Sequence, residues 1–280
     1  MRIIAAERIS EAAARLYIKA SRELPADVRE SLRAACARET WPPARDILDQ
    51  LIANFELAQA RRLPLCQDTG AACVFLEIGG DAHIEGDIQA AVDEGIRRAQ
   101  RDGFLRASMV ADPLRRVNTG DNTPAMLCVD FTGGDRLVLT VAPKGFGSEN
   151  MSRIAMLSPS DGVEGVISFV LETVEAAGPN PCPPVVAGIG IGGAFDKAAL
   201  LAKKAALLRP LGGRHPDPYY AELEAELERR INALGIGPQG FGGAVTALAV
   251  MIETMPTHIA GLPCAVSLNC HAVRRASEVI

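Results

Sequence analysis

The segment VVAGIGIGGAFDKAALLAKKAALL, residues 185–208, combines the two patterns from which the fold can be predicted. Residues 185–191 are apolar and predict a buried strand, whereas 195–208 predicts a helix. Residues 188–193 also match the G-x-G-x-x-G pattern of dinucleotide-binding turns. That interpretation requires a second parallel strand ending in an acidic residue about 20 residues on, but residues 209–217 have the composition of a loop. We therefore expect close backbone packing, or an anion contact at the helix N-terminus, in place of NAD binding.

The same patterns predict elements on both sides of this segment. Helices are expected near the N-terminus, where Ala13, Leu16, Tyr17 and Ala20 share one face, after Pro42-Pro43, and over 88–100, 162–177 and 219–234. Strands are expected over 73–78, 126–131, 136–141 and 244–251, the middle two joined as an antiparallel hairpin by Gly133-Gly134-Asp135. The sequence shows no regular βαβ alternation, repeat or long linker. It predicts a single mixed α+β domain, residues 1–280, with a helical N-terminal part and antiparallel strands.

Composition excludes several classes of function. With 280 residues, 48% of them hydrophobic, the chain is long enough to bury a substantial core. Its 29 basic and 34 acidic residues are spread along the whole length, without the basic stripe that predicts nucleic-acid binding. No apolar run reaches the roughly 18 residues of a membrane span, and the first residues do not resemble a signal peptide. We expect a cytoplasmic protein that binds neither nucleic acid nor membrane.

Three of the seven cysteines, Cys66, Cys182 and Cys270, lie where an apolar stretch meets a proline, glycine or polar residue. An odd number of cysteines without a secretory signal favours reduced thiols over a disulfide framework. Thiolates on stiff loops are typical ligands of iron-sulfur clusters, and Pro183-Pro184 restricts the backbone after Cys182. Zinc would accept the same thiolates, but structural zinc sites usually contain close cysteine pairs, which this sequence lacks. From spacing alone, a cluster, zinc or simple burial all stay open.

The other four cysteines lie in apolar surroundings. Cys36 falls on the apolar face of a predicted helix, and Cys73 and Cys128 fall within predicted strands, so burial explains all three. Cys264 stands shortly before Cys270 and is its rival as a ligand. Its neighbours, however, have the pattern of a buried strand, and burial is the preferred interpretation here as well.

Five motifs give the chain a resemblance to a known family. They are Cys66-Gln67-Asp68-Thr69-Gly70, Asn118-Thr119-Gly120-Asp121-Asn122-Thr123-Pro124-Ala125, Pro143-Lys144-Gly145-Phe146-Gly147-Ser148-Glu149-Asn150, Asn180-Pro181-Cys182-Pro183-Pro184 and Cys270-His271-Ala272-Val273-Arg274-Arg275. In this order they resemble the iron-sulfur (class I) fumarate hydratases and their relatives, the L-tartrate dehydratase alpha subunits, and the resemblance covers nearly the whole chain.

The resemblance implies a [4Fe-4S] cluster held by Cys66, Cys182 and Cys270, with a fourth iron that no protein residue binds and that contacts the substrate. It implies a hydro-lyase that reversibly hydrates fumarate to malate. The open iron acts as a Lewis acid on the hydroxyl and a carboxylate of the substrate.

Proton transfer is assigned by the same resemblance. Asp68 and His258 match residues that manage the proton at the leaving oxygen. Taken without the family, Asp68 would be interpreted as a loop cap and His258 as a core histidine. His271, which adjoins Cys270, is the rival histidine and is expected in a supporting position near the cluster.

The two carboxylates of the substrate require positive or donor-rich partners. The resemblance implies that these are Gln67, Arg106, Lys144, Gly145 and Gly147. The backbone amides after Lys144 would form an anion nest, although Phe146 stands where many relatives have glycine, which leaves the contacting amide open. Asn118 and Thr119 are expected to support this pocket.

The chain ends at Ile280, before the further domain that single-chain fumarases carry. We therefore expect a separate beta subunit, in an α2β2 assembly, to supply the remaining carboxylate-binding residues and the base that takes the carbon-bound proton. Residues 188–199 and 207–212 look more like fumarase than tartrate dehydratase, which favours fumarate. L-tartrate or a mesaconate-type dicarboxylate is the alternative substrate.

Two other classes of protein compete with a hydro-lyase. An iron-sulfur redox or sensor protein would normally have a fourth protein ligand, and the sequence shows no fourth cysteine in a comparable loop. A cysteine-nucleophile hydrolase could use Cys66 with His258 and Asp68, but it would have no visible iron-sulfur absorption.

Overall fold

The computed structural model of the chain describes residues 2–280. The helices are α1 Ala6–Arg22, α2 Ala26–Arg38, α3 Pro42–Arg61, α4 Ile88–Asp102, α5 Phe146–Glu149, α6 Gly162–Ala177, α7 Phe195–Leu208 and α8 Pro218–Ala233. The strands are β1 Arg2–Ala5, β2 Ala71–Gly79, β3 Ala82–Glu85, β4 Met126–Thr132, β5 Leu137–Lys144, β6 Arg153–Leu157, β7 Val185–Gly193, β8 Ala247–Thr257, β9 Leu262–Asn269 and β10 Ala276–Val279. The predicted α+β class is confirmed, and α6 and α7 have the predicted bounds.

The chain divides into two compact units. Unit 1 is formed by residues 2–25, 55–146 and 274–280, and unit 2 by residues 26–54 and 147–273. The division falls within α3 and α5, and each unit has its own four-stranded sheet. None of the helices formed by residues 2–280 combines the length and the apolar composition that crossing a membrane requires.

Unit 1 is built around the sheet with strand order β10-β5-β2-β4. The predicted apolar face of α1 is buried and contributes Ala13, Leu16, Tyr17 and Ala20 to the core, where it packs against α4, β5 and β10. Strand β2 is antiparallel to β5 and parallel to β4, and Ala71 at its start pairs with Lys144 at the end of β5. The loops before β2 and after β5 therefore meet at one edge of the sheet.

The predicted hairpin between β4 and β5 is wrong. Both strands form where expected, but β2 lies between them and bonds to both. The end of β2 packs under the turn that joins them, since Gly79 donates to the carbonyl of Arg136 and Gly80 to that of Thr132. The Gly-Gly-Asp turn therefore crosses over β2 to join β4 to β5. The local sequence cannot reveal this, because two strands have the same alternation of apolar and polar residues whether they are neighbours or have a third strand between them.

Unit 2 has the strand order β6-β9-β7-β8, with β7 parallel to β8 and antiparallel to β9. Alternation along β7 sends Val185, Ala187 and Ile189 into the core formed with α6 and α8. Gly188 and Gly190 face α7, where an added Cβ would lie 2.1 Å from the carbonyl oxygens of Ala202 and Ala198, respectively. The glycine motif thus serves close packing of helix on strand, one of the two roles expected for it.

Candidate functional site

In unit 1 the motif Cys66–Gly70 is the loop directly before β2, and its hub is Asp68. One carboxylate oxygen, Oδ1, accepts hydrogen bonds from the amide of Gly70 at 2.9 Å and from Ser108 Oγ at 3.4 Å. The other, Oδ2, accepts from the amide of Phe146 at 3.0 Å. One carboxylate therefore joins two of the predicted motifs, 66–70 and 143–150, to Ser108 in the segment that carries Arg106. The loop cap that the residues alone suggested for Asp68 is present, and its catalytic role stays a prediction.

Two buried residues that sequence reasoning did not select hold this loop from within. Arg274, 3% exposed, donates from Nη1 to the carbonyl of Asp68 at 3.0 Å, and nothing among residues 2–280 accepts from its Nε. Tyr17 donates to the carbonyl of Gly70 at 3.2 Å, and burial raises the pKa of its hydroxyl. Arg274 was visible as part of the last motif, whereas Tyr17 looked like an ordinary core residue of α1.

Arg106 is presented to solvent by a framework of asparagines. Asn122, fully buried and with φ 60°, accepts from the amide of Ser108 at 2.5 Å and donates to the carbonyl of Arg106 at 2.8 Å. Asn118 donates to the carbonyl of Ala107 at 3.1 Å, and the amide of Thr119 donates to Met109 at 2.9 Å. Asn118 and Thr119 thus hold the loop that follows Arg106, whereas their support of a substrate pocket stays a prediction. Asn122 is the stronger support of this loop, and sequence reasoning missed it.

The segment predicted to form an anion nest, residues 144–148, has fewer groups available to a ligand than expected. The side chain of Lys144 is fully buried, and its Nζ donates to the carbonyl of Gly145 at 3.2 Å. The amide of Phe146 already donates to Asp68. Gln67 and Gly147 are exposed and Gly145 is half-buried. Lys144 thus supports the glycine loop from inside unit 1. The polar groups exposed at Gly145 and Gly147 are backbone, and Phe146 between them exposes its ring.

In unit 2 two of the three predicted ligands lie at the same edge of the sheet. Cys182 lies three residues before the start of β7, and Cys270 immediately follows β9. These strands pair with Val186 opposite Asn269. The ring of His271 lies between the two loops, where its Nδ1 is 3.2 Å from the carbonyl oxygen of Cys182 and must be the donor. Antiparallel pairing therefore brings together cysteines that are far apart in sequence.

The thiols present fit an iron-sulfur cluster. None of the seven cysteines is in a disulfide, and Cys182 is exposed while Cys66 and Cys270 are half-buried. Cys182 has a φ of 56°, an uncommon conformation for a residue with a side chain, and one that is typical of functional loops. In unit 1 the amide of Asp68 donates to Cys66 Sγ at 3.4 Å. Among residues 2–280, no three His, Cys, Asp or Glu side chains gather as for a single metal ion.

The structure separates Cys264 from this edge. It lies within β9, fully buried, paired with Ile191 on one side and Ala155 on the other. Burial raises the pKa of its thiol to about 12. Cys36 and Cys73 are buried as predicted, but Cys128 is only half-buried because β4 is an edge strand.

His258 lies at the opposite end of the unit 2 sheet from Cys182 and Cys270. It is exposed in the turn between β8 and β9, where its Nδ1 accepts from the amide of Ala260 at 3.2 Å. The eight residues of β9 separate it from Cys270, a distance of roughly 27 Å along the strand. Unit 2 of one chain therefore does not bring His258 and these cysteines together, and His271 is the histidine at their edge.

Comparison with known proteins identifies relatives along the whole chain. The sequence model of one protein family, described as Fumarate hydratase (Fumerase), matches residues 10–279. The chain is 44% identical over 282 residues to the putative L(+)-tartrate dehydratase subunit alpha of Methanocaldococcus jannaschii, with 98% of each chain covered. It is 35% identical over 280 residues to the L(+)-tartrate dehydratase subunit alpha of Escherichia coli O157:H7, with 99% of this chain and 92% of the relative covered.

Proposed function

The chain belongs to the fumarate hydratase family of hydro-lyases, and we propose that it is the alpha subunit of an L-tartrate dehydratase. The observation that carries the proposal is the match to tartrate dehydratase alpha subunits along at least nine-tenths of both chains. The sequence had favoured fumarate as substrate, with L-tartrate as the alternative, and the relatives' names favour the alternative. Both substrates are four-carbon dicarboxylates, so the same residues would serve either reaction.

The proposed cofactor is a [4Fe-4S] cluster bound by Cys66, Cys182 and Cys270. When bound, it would supply a Lewis acid for the leaving hydroxyl of the substrate. Three accessible thiols on loops, none of them in a disulfide, support this assignment, as does the edge shared by Cys182 and Cys270 in unit 2. Reduced thiols also support a cytoplasmic location.

Substrate binding is assigned to Arg106, Gln67 and the glycine segment 145–147. Arg106, held at its backbone by Asn122, would bind one carboxylate through its planar pair of donors. Gln67 and the amides of Gly145 and Gly147 would add hydrogen bonds, and Lys144 would hold the glycine loop in place. In the reaction L-tartrate loses a proton from one carbon and hydroxide from its neighbour, a carbon-carbon double bond forms, and the enol product rearranges to oxaloacetate.

Asp68 is the proposed group for the proton of the leaving oxygen, since its carboxylate is fixed by three hydrogen bonds beside the Cys66 loop. His258 keeps its proposed role only if a second copy of the chain brings its 258–261 turn to the cysteine edge. An α2β2 assembly contains such a second copy.

A beta subunit is part of the proposal. The relatives are named as alpha subunits although the chain matches nearly their whole length, which supports a separate partner with the remaining groups. We assign the base for the carbon-bound proton to that partner.

Fumarate hydration is the second candidate because the matching family is described by that activity. Anaerobic copurification of the alpha and beta chains, followed by turnover of L-tartrate, malate and 2-methylmalate, decides between them. We expect L-tartrate to have the highest kcat/KM. Turnover of malate alone would make fumarate the substrate, and turnover of none of the three would refute the hydro-lyase proposal for dicarboxylates.

A further inference from the structure

A cavity with cationic side chains, separate from the proposed substrate site, lies in unit 1 between the last turns of α1 and the end of α3. It is a cavity of about 460 Å³, within the range of ligand pockets. Its lining contains four cationic side chains, Arg15, Lys19, Arg22 and Arg62, and one carboxylate, Glu23. In a chain with a net charge of −5, this concentration of positive charge is local and opposite to the average.

Helix periodicity accounts for part of this cluster. Arg15, Lys19 and Arg22 recur at helical spacing on one face of α1. Cations in the last turn, here Lys19 and Arg22, stabilise the helix dipole. That explanation does not extend to Arg15, which lies farther from the end of α1, or to Arg62, which comes from another segment. Cations that converge from two segments give this cavity the charge that an anionic ligand requires.

The charges of this cavity are largely uncompensated. Arg15 pairs with Glu278 at 2.9 Å. Among residues 2–280, by contrast, no carboxylate lies within ion-pair distance of Lys19, Arg22 or Arg62. The three side chains line one cavity, and a bound anion would offset their positive charge.

The guanidinium of Arg22 has one further donor for an anionic ligand. Its Nη2 donates to the carbonyl of Gly103 at 3.2 Å, which fixes the guanidinium in place. Its Nε is buried, and none of residues 2–280 accepts a hydrogen bond from it. A buried N–H without an acceptor is costly, and an anionic oxygen would satisfy it.

We propose that this cavity binds a small polyanion, phosphate or a tricarboxylate, through Lys19, Arg22 and Arg62. The bound anion would connect the end of α1 to the end of α3. This junction leads directly into the Cys66 loop, because the amide of Leu65 donates to the carbonyl of Ser21 at 2.9 Å. The ligand would therefore stabilise the segment that precedes Cys66. The site is independent of the reaction proposed above.

The test is a titration of the full chain with inorganic phosphate and, separately, citrate, at an ionic strength kept constant with chloride. At ten times the dissociation constant we expect the Tm to rise by about 3 °C and hydrogen exchange of the Leu65 amide to slow. The anion with the lower Kd identifies the ligand class. Absence of saturable binding by either anion would overturn the proposal.

Variants locate the site. Lys19→Gln with Arg62→Gln removes two exposed cations, and neither side chain makes an ion pair among residues 2–280, so we expect folding to be retained and the Kd to rise at least ~5-fold. The matched control, Arg101→Gln with Arg229→Gln, removes the same charge elsewhere and should bind as the parent does. Arg106→Gln, in the proposed substrate site, should also bind normally. Equal losses in the control pair, or in Arg106→Gln, would contradict the assignment.

Discussion

Asp68 shows how much one residue of the candidate site depends on contacts that sequence cannot place. Its position two residues after Cys66 and its family match were readable from the sequence. Its partners were not, because the amide of Phe146 and the guanidinium of Arg274 come from distant segments. Buried polar supports such as Asn122 leave no periodic signal. They are recognised only when the groups they satisfy are known.

At the residue scale, the environment of Cys264 predicts its reactivity. Its thiol is buried with a pKa of about 12, so roughly one molecule in ten thousand carries the reactive thiolate at pH 8. We expect iodoacetamide to label Cys182, which is exposed, in the folded cluster-free chain and to leave Cys264 unlabelled. Mass spectrometry of peptides measures both.

Unfolding in guanidinium is the control, since both thiols should then react. Labelling of Cys264 in the folded chain at the rate of Cys182 would contradict its placement in β9.

At the element scale, long periodic segments were predictable and pairing was not. Helices α6 and α7 have the bounds that the spacing of their apolar residues predicted. In both, the helix propensity of the residues and their packing in the fold favour the same structure. The pairing of β4 with β5 was wrong, since β2 enters the sheet from an earlier part of the chain. Strand β8 begins and ends later than expected, and its exposed end has no apolar pattern.

The loop after α7 depends on one buried carboxylate of α8. Glu224, fully buried, accepts from Arg209 Nη1 at 2.6 Å and from the amides of Ile252 and His215 at 2.8 and 2.9 Å. Glu224→Ala leaves these donors without their acceptor, and we expect it to lower the free energy of unfolding by about 3–5 kcal/mol. Urea denaturation measures the change.

Glu226→Ala on the same helix is the matched control. Glu226 is only half-buried and pairs with Arg229 and Arg230 at the surface, so its loss should change the urea midpoint little. Equal effects of the two substitutions would refute the role given to Glu224.

Close packing of α7 on β7 makes a second prediction at this scale. A methyl group added at Gly190 would lie 2.1 Å from the carbonyl oxygen of Ala198. Gly190→Ala should therefore lower the free energy of unfolding by about 1–3 kcal/mol. Gly133→Ala, whose added methyl group meets nothing within 4 Å, should be nearly neutral. If Gly190→Ala is neutral too, the helix does not pack as described.

At the scale of the whole molecule, the two units share one topology that the sequence does not show as a repeat. In unit 1, β2 lies between β4, which is parallel to it, and β5, which is antiparallel. In unit 2, β7 lies in the same way between the parallel β8 and the antiparallel β9. Cys66 and Cys182 occupy the same place, in the loop before the central strand. Lys144 and Cys270 stand correspondingly at the end of the antiparallel strand. Topology, not sequence similarity, relates these positions.

The position of His258 predicts complementation between chains. Asp68→Asn and His258→Ala should each lose most turnover of L-tartrate. If His258 acts on the site of a second copy, coexpressing the two variants with the beta chain restores one intact site in half of the assemblies, or roughly a quarter of the parent activity. Differently tagged chains allow mixed assemblies to be isolated. Mixed assemblies without activity would exclude His258 from this role.

The central claim is that Cys66, Cys182 and Cys270 bind an iron-sulfur cluster and that Cys264 does not. Iron and sulfide per chain, measured after anaerobic reconstitution of the parent, Cys270→Ser and Cys264→Ser, test it most directly. We expect about four iron atoms per chain in the parent and in Cys264→Ser, and substantial loss in Cys270→Ser. Full iron in Cys270→Ser, or loss of iron in Cys264→Ser alone, would contradict the account.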